Sequence, residues 1–153
     1  MNTLVNITGG CQCGAVRYAL RMTPQKTHYC HCRMCQRAVG NLFAALTGVR
    51  KDQIEWTRGA SSYYASSSVA RRGFCAQCGT PLSFDYHHSQ WIYLTVGSLD
   101  RPEQVTPEKH YGVESRLPWL NLQDDLPQKA TDENNDKLAG MTVRQYDPRA
   151  AKT

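Results

Sequence analysis

Seven cysteines in 153 residues fall into three groups: the pair Cys11/Cys13, the triplet Cys30/Cys32/Cys35 within six residues, and the pair Cys75/Cys78. No other feature restricts the fold as tightly, because thiolates that share a metal must meet within a few ångströms whatever chain lies between them. A closed structural zinc site takes four ligands, whereas a site that admits water or substrate takes three from the protein. The two pairs supply four thiols and the triplet supplies three. The count predicts a structural zinc held by Cys11, Cys13, Cys75 and Cys78, and a second, open zinc held by Cys30, Cys32 and Cys35.

Disulfides explain the pattern less well. An odd number leaves one thiol over in any pairing scheme, and a C-x-C pair spans too little chain for an unstrained bridge. The opening MNTLVNITGG has neither a basic n-region nor an apolar h-region, and no run approaches the ~20 apolar residues of a membrane span. The expected setting is a reducing cytoplasm, with no membrane partner. The formal charge of +5 counts cysteine as neutral; binding two Zn²⁺ through seven thiolates would lower it to about +2. That leaves little electrostatic support for a nucleic-acid partner.

The rest of the chain reads as short strands broken by turn signals, which predicts a mainly β fold with few short helices. Gly9 and Gly10 suit a turn that carries Cys11 and Cys13, followed by a strand over Ala15–Leu20. Thr27–Cys30 is extended, and Arg33–Val39 reads as one or two helical turns ended by Gly40. Strands follow at Leu42–Gly48 and Gln53–Thr57, with an edge strand or linker at Ser61–Ser68. Gly79 directly after Cys78 permits the sharp bend of a zinc knuckle. Leu82–Tyr86 and Trp91–Val96 form a hairpin, and Glu108–Val113 one more short strand. From Leu117 onward the sequence is irregular. The expected organisation is a zinc domain over residues 1–127 and a polar extension over 128–153, docked on the domain or on a neighbouring chain of a homodimer.

On residue chemistry alone the triplet has three readings: an open catalytic zinc, a zinc closed by a histidine, or a redox-active thiol cluster. Arg33 and Arg37 flank it and would stabilise thiolates. His31 lies between two ligands, and alternation along an extended segment turns its side chain away from the side that Cys30 and Cys32 use. His28, His87, His88 and His110 show no ligand spacing. Trp119 with Asp124 and Asp125 is either a lid over the open zinc or a loop anchored by a buried indole. The sequence has no Gly-rich phosphate loop, H-E-x-x-H motif or serine elbow, which leaves metal as the carrier of any chemistry.

Taken together, GGCQCGAVRY, YCHCRMCQRAVG, FCAQCGTPL, VGSLD and PWLNLQDDLP resemble the glutathione-dependent formaldehyde-activating enzyme family, or CENP-V/GFA domain, from about Gly9 to Pro127. The resemblance implies an Mss4-like β-tent of short antiparallel sheets joined by zinc-binding turns. It also implies a structural zinc on Cys11, Cys13, Cys75 and Cys78, and an activity-linked zinc on Cys30, Cys32 and Cys35. The family's class is carbon–sulfur lyase, and its founding reaction joins glutathione reversibly to formaldehyde. The corresponding expectation is a lyase acting on a small-molecule thiol such as glutathione, with Arg37 holding a substrate carboxylate. The competing expectations are a non-catalytic thiol-binding zinc protein and a scaffold module.

Overall fold

The computed structural model describes residues 7–131 and 138–142. Residues 1–6 of the expected domain, and 132–137 and 143–153 of the expected extension, lie outside the described residues.

The fold is mainly β, as the strand pattern predicted. Strands β1 (Thr8–Gly10), β2 (Arg17–Leu20) and β5 (Ile54–Arg58) form a small antiparallel sheet in the order β1-β2-β5. The larger sheet contains β3 (Gln25–Cys30), β4 (Ala44–Arg50), β6 (Ser62–Tyr64), β7 (Ala70–Phe74), β8 (Pro81–Tyr86), β9 (Trp91–Thr95), β10 (His110–Tyr111) and β11 (Gln128–Lys129). Its strand order is β11-β10-β3-β4-β9-β8-β7-β6. Pairing is antiparallel except at one edge, where β10 runs parallel to both β3 and β11.

Helix α1 (Arg33–Val39) has the predicted span and ends at Gly40 in the left-handed conformation. Thr8–Gly10, expected as a turn, is instead a strand paired with β2, and the turn begins at Cys11. Among the described residues no helix is long and apolar enough to cross a membrane.

Period-two alternation gives the large sheet two different faces. Val49, Ile92 and Leu94 point to one side, where they pack with Ile7, Tyr18 and Leu20 of the small sheet and with Leu99. Tyr18 meets Trp56 edge-on at 5.7 Å, and its hydroxyl is 2.7 Å from the Ser98 hydroxyl. This is the main core. The opposite face carries His28 and Cys30 of β3, Leu46 of β4, Tyr93 of β9, Phe84 of β8 and Arg72 of β7. The register aligns them: His28 faces Leu46, Tyr93 faces Phe84, and Phe84 faces Arg72. That second face is the wall of a cavity.

Candidate metal centres and the cavity beside them

The four cysteines predicted to form the knot meet in space. Cys11 and Cys13 lie on the β1–β2 turn, Cys75 and Cys78 on the β7–β8 turn, and all four sulfurs are within 4.8 Å of one another. The Cys11–Cys13 and Cys13–Cys75 sulfur separations are 3.5 and 3.8 Å. Four thiolates around a zinc at ~2.3 Å are about 3.8 Å apart, so the donor set and spacing fit this ion. All seven cysteines are free thiols.

The two turns are built alike. Gly14 and Gly79 both have positive φ, and their N–H groups donate to Cys11 O and Cys75 O at 3.1 and 2.8 Å. Backbone groups also serve the sulfurs: Val16 N–H donates to Cys11 Sγ at 3.2 Å. Thr80 binds both turns, accepting from Gln12 N–H and meeting Cys78 Sγ at 3.1 Å. Hydrogen bonds from Thr80 bring the Cys78 thiol down to about 5.

The triplet is assembled differently. Cys30 ends β3, Cys32 caps α1, and Cys35 lies in its first turn, with Cys35 N–H donating to Cys32 Sγ at 3.3 Å. The C-x-x-C spacing is that of an N-cap and the third helical residue, so forming the helix brings the two sulfurs together. The Cys30 and Cys32 sulfurs are 3.5 Å apart, and all three lie within 4.8 Å of one another. The grouping of potential ligand atoms here contains these three cysteines and no fourth residue among the described ones. A soft trithiolate set of this size suits zinc with one position left over.

One cation sits against this cluster, and the sequence did not single it out. Arg72 is 9% exposed; its Nη2 donates to Cys35 Sγ at 3.5 Å and its guanidinium lies 4.7 Å over the Phe84 ring. Hydrogen bonds from Cys30 and Cys32, then the charge of Arg72, hold the Cys35 thiol well below its ordinary value. Hydrogen bonds with Cys32 and Cys35, then burial, push Cys30 up. Arg37 is exposed on the last turn of α1, whereas the cations lining the cavity are Arg33, Arg72 and Lys109.

Alternation turns His31 away from the thiolates, as expected, and into a buried chain of imidazoles. Its Nε2 is 2.8 Å from His110 Nδ1, and His110 Nε2 is 2.7 Å from Asp124 Oδ1. The Asp124 carboxylate accepts from His110 Nε2–H, and the two imidazoles share the contact between them. Burial, then the adjacent His110, brings His31 down to about 4, so its ring is neutral at pH 7.

The carbonyl of His31 accepts from Gln36 Nε2 at 2.8 Å, and its N–H donates to Tyr111 O at 2.8 Å. Gly112, with φ of 68°, brings its backbone against Cys32; a Cβ there would lie 2.9 Å from Cys32 N. The segment 108–129 therefore braces the triplet from behind.

His110 and Asp124 were not recognisable as a pair in the sequence. The parallel pairing of β10 with β3 brings His110 to His31, and the segment returning to β11 beside β10 brings Asp124 to His110. His87 and His88 are exposed in the β8–β9 turn. Trp119 is 68% exposed and does not line the cavity, so it is neither the expected lid nor a buried anchor. It follows Pro118 in a segment without regular structure, and its neighbours hold the chain through Arg116 and Leu120 instead.

The cavity has a volume of about 310 Å³ and is lined by all three cysteines of the triplet together with the second face of the large sheet.

The chain belongs to a known family. A family model described as glutathione-dependent formaldehyde-activating enzyme matches residues 6–115. A Schizosaccharomyces pombe protein described as an uncharacterized lyase is 29% identical over 104 residues, which is 63% of this chain and 75% of that protein. A crystal structure of a Rhodobacter sphaeroides protein overlays with a TM-score of 0.49 at 19% identity, covering 80% of this chain and 99% of that one.

Proposed function

From the chain's membership of the glutathione-dependent formaldehyde-activating enzyme family, we propose that it is a zinc-dependent carbon–sulfur lyase acting on a thiol and its aldehyde adduct. The reaction site is the Cys30/Cys32/Cys35 cluster, and the four-cysteine knot is structural. The observation that carries this reading is the trithiolate itself: three cysteine sulfurs with no fourth potential ligand grouped beside them among the described residues, all lining a cavity. A zinc ion held there would supply a soft Lewis acid able to accept a thiolate sulfur in its remaining position.

The chain's own residues account for the rest. Three thiolates and one Zn²⁺ carry a formal charge of −1, and the buried guanidinium of Arg72 brings the assembly to neutrality beside the incoming thiolate. Arg33 and Lys109 stand where they can receive carboxylates of a glutathione-like thiol. Lys109 makes no ion pair with any described residue. Arg37, one helical turn beyond Arg33, is better placed to add to the field than to touch the reacting atoms. The Asp124–His110–His31 chain fixes the backbone between Cys30 and Cys32, so two of the sulfurs keep their spacing as ligands exchange. The setting that fits this chemistry is the cytoplasm, where thiols stay reduced.

Exchange between free glutathione and its hydroxymethyl adduct, followed by exchange NMR, tests the proposal. Wild-type protein should raise the exchange rate above the uncatalysed rate, and Cys32→Ser should abolish the increase. Thiol binding without accelerated exchange would instead make this a thiol-binding protein.

A further inference from the structure

The cavity is built for more than a one-carbon partner. Its volume is about 310 Å³, at the lower end of sites that enclose drug-sized molecules. A one-carbon aldehyde, little larger than the ~30 Å³ a water molecule occupies in the liquid, would touch little of the apolar wall, and a polar thiol carrier drawn to Arg33 and Lys109 would not cover it. Four aromatic side chains, Phe84, Tyr86, Tyr93 and Tyr111, line those walls together with aliphatic ones such as Leu46 and Met141.

The rings are already braced against one another, Phe84 on Tyr86 at 4.7 Å, and His28 between Tyr93 and Tyr111 at 5.5 and 6.2 Å, all edge-to-face. Phe84, Tyr93 and Tyr111 pack directly on the cluster formed by Cys30, Cys35 and Leu46. The aromatic surface therefore begins at the sulfurs themselves. The cations other than Arg72 occupy the less buried positions, with Lys109 half-buried and Arg33 exposed.

A substituent that reaches the aromatic wall from the reacting centre must be attached to the reacting carbon. The polar thiol carrier can reach the outer cations. We infer that the carbonyl partner of this site is an aromatic aldehyde, its ring held against Phe84 and Tyr93 while its carbonyl carbon lies beside Cys30, Cys32 and Cys35. This inference rests on the proposed lyase reading and names the substrate class of that same site. In the addition direction the thiol sulfur bonds to the carbonyl carbon, and the carbonyl π pair moves onto oxygen, which takes the thiol proton. In the reverse direction the carbon–sulfur bond breaks and the proton returns to sulfur. Atoms and electrons balance without an oxidant or reductant.

The test compares catalysed adduct exchange of glutathione with benzaldehyde and with formaldehyde on the zinc-loaded protein. Alongside it, binding of benzyl alcohol, which carries the ring without a carbonyl, is followed through the tyrosine ring signals. Benzaldehyde should be preferred by at least about tenfold in kcat/KM, the scale on which an apolar pocket discriminates a missing hydrocarbon group. Tyr93→Leu, which keeps apolar bulk but removes the ring, should narrow that ratio and weaken benzyl alcohol binding. Faster or equal turnover of formaldehyde would overturn the inference and leave the lyase reading standing. If neither aldehyde is turned over, the lyase reading fails. Benzyl alcohol binding lost in Tyr93→Leu would then still support an aromatic ligand, and absence of binding would overturn it.

Discussion

The two cysteine clusters use the same donor atom for opposite ends. The knot joins two turns more than sixty residues apart, so its four sulfurs can meet only when β1, β2, β7 and β8 are in place. The triplet comes from six consecutive residues and needs only the end of β3 and the first turn of α1. In the knot the backbone bends twice, at Gly14 and Gly79, on the two turns that carry the sulfurs. In the triplet the surrounding chain leaves a cavity on one side and a buried guanidinium against Cys35. Long-range closure makes a site part of the fold; local closure leaves a site free to work.

The largest effect should come from Cys75→Ser. Removing one ligand forfeits binding energy that is also folding energy, on the order of 10 kcal/mol for structural zinc. The variant should show no cooperative thermal transition, or a melting temperature lowered by more than about 20 °C. Cys32→Ser should shift it by less than about 5 °C. Circular dichroism melts of both variants make the comparison, and equal losses would merge the two sites into one class.

Next comes Arg72→Leu, which takes the countercharge from the triplet alone. Metal affinity there should fall about 10–100-fold, in the range typical of losing a partner to a ligand, while the knot keeps its metal. Competition with a chromophoric chelator separates the two. Arg72→Lys should recover part of the loss, because a charge remains but the planar fork over Phe84 does not.

Asp124→Asn should act more weakly on the same site. It removes the carboxylate that accepts from His110, and through it the orientation of His31 behind Cys30 and Cys32. A drop of about tenfold in triplet metal affinity is expected, with the melting temperature moved by only a few degrees.

The smallest effect belongs to Asp100, whose carboxylate accepts from Thr8 and Arg17 on the two strands that carry the Cys11/Cys13 turn. Its hydrogen bonds with Arg17 and then Thr8 hold its pKa below the ordinary 3.8. A lowered pKa stabilises the folded state above the unfolded value and loses that contribution as pH falls through the folded one. Asp100→Asn should therefore cost about 0.2–1 kcal/mol at pH 7, as exposed pairs do. The difference from wild type should shrink as pH falls below 3.8 and vanish below the lowered folded value in urea melts.

The partition of the cysteines was legible because it rests on count and spacing, which a sequence displays directly. Helix α1 was legible for the same reason, since Cys32, Cys35 and Gly40 occupy capping and stop positions. Arg72 was not. Flanking position favoured Arg37 as the site's cation, but contact in a sheet follows register, and Arg72 reaches Cys35 only because β7, β8 and β9 align it with Phe84 and Tyr93. The alternation of Arg71 and Arg72 was a usable signal: one of the two must face the side opposite the other, and Arg71 goes to Asp85. The His31–His110–Asp124 chain spans 79 and 14 residues, and the sequence carries no local mark of the parallel pairing behind it. Trp119 misled in another way: a lone tryptophan suggests burial, yet here it lies on an irregular segment with most of its surface exposed.

The most direct test of the difference between the clusters is the metal content, by native mass spectrometry, of Cys32→Ser and of wild type before and after chelation. Wild type should carry two zinc ions per chain, and folded Cys32→Ser should carry one. Brief chelator treatment of wild type should remove one ion and leave the fold intact. A single zinc in wild type, or loss of both from Cys32→Ser, would contradict the account.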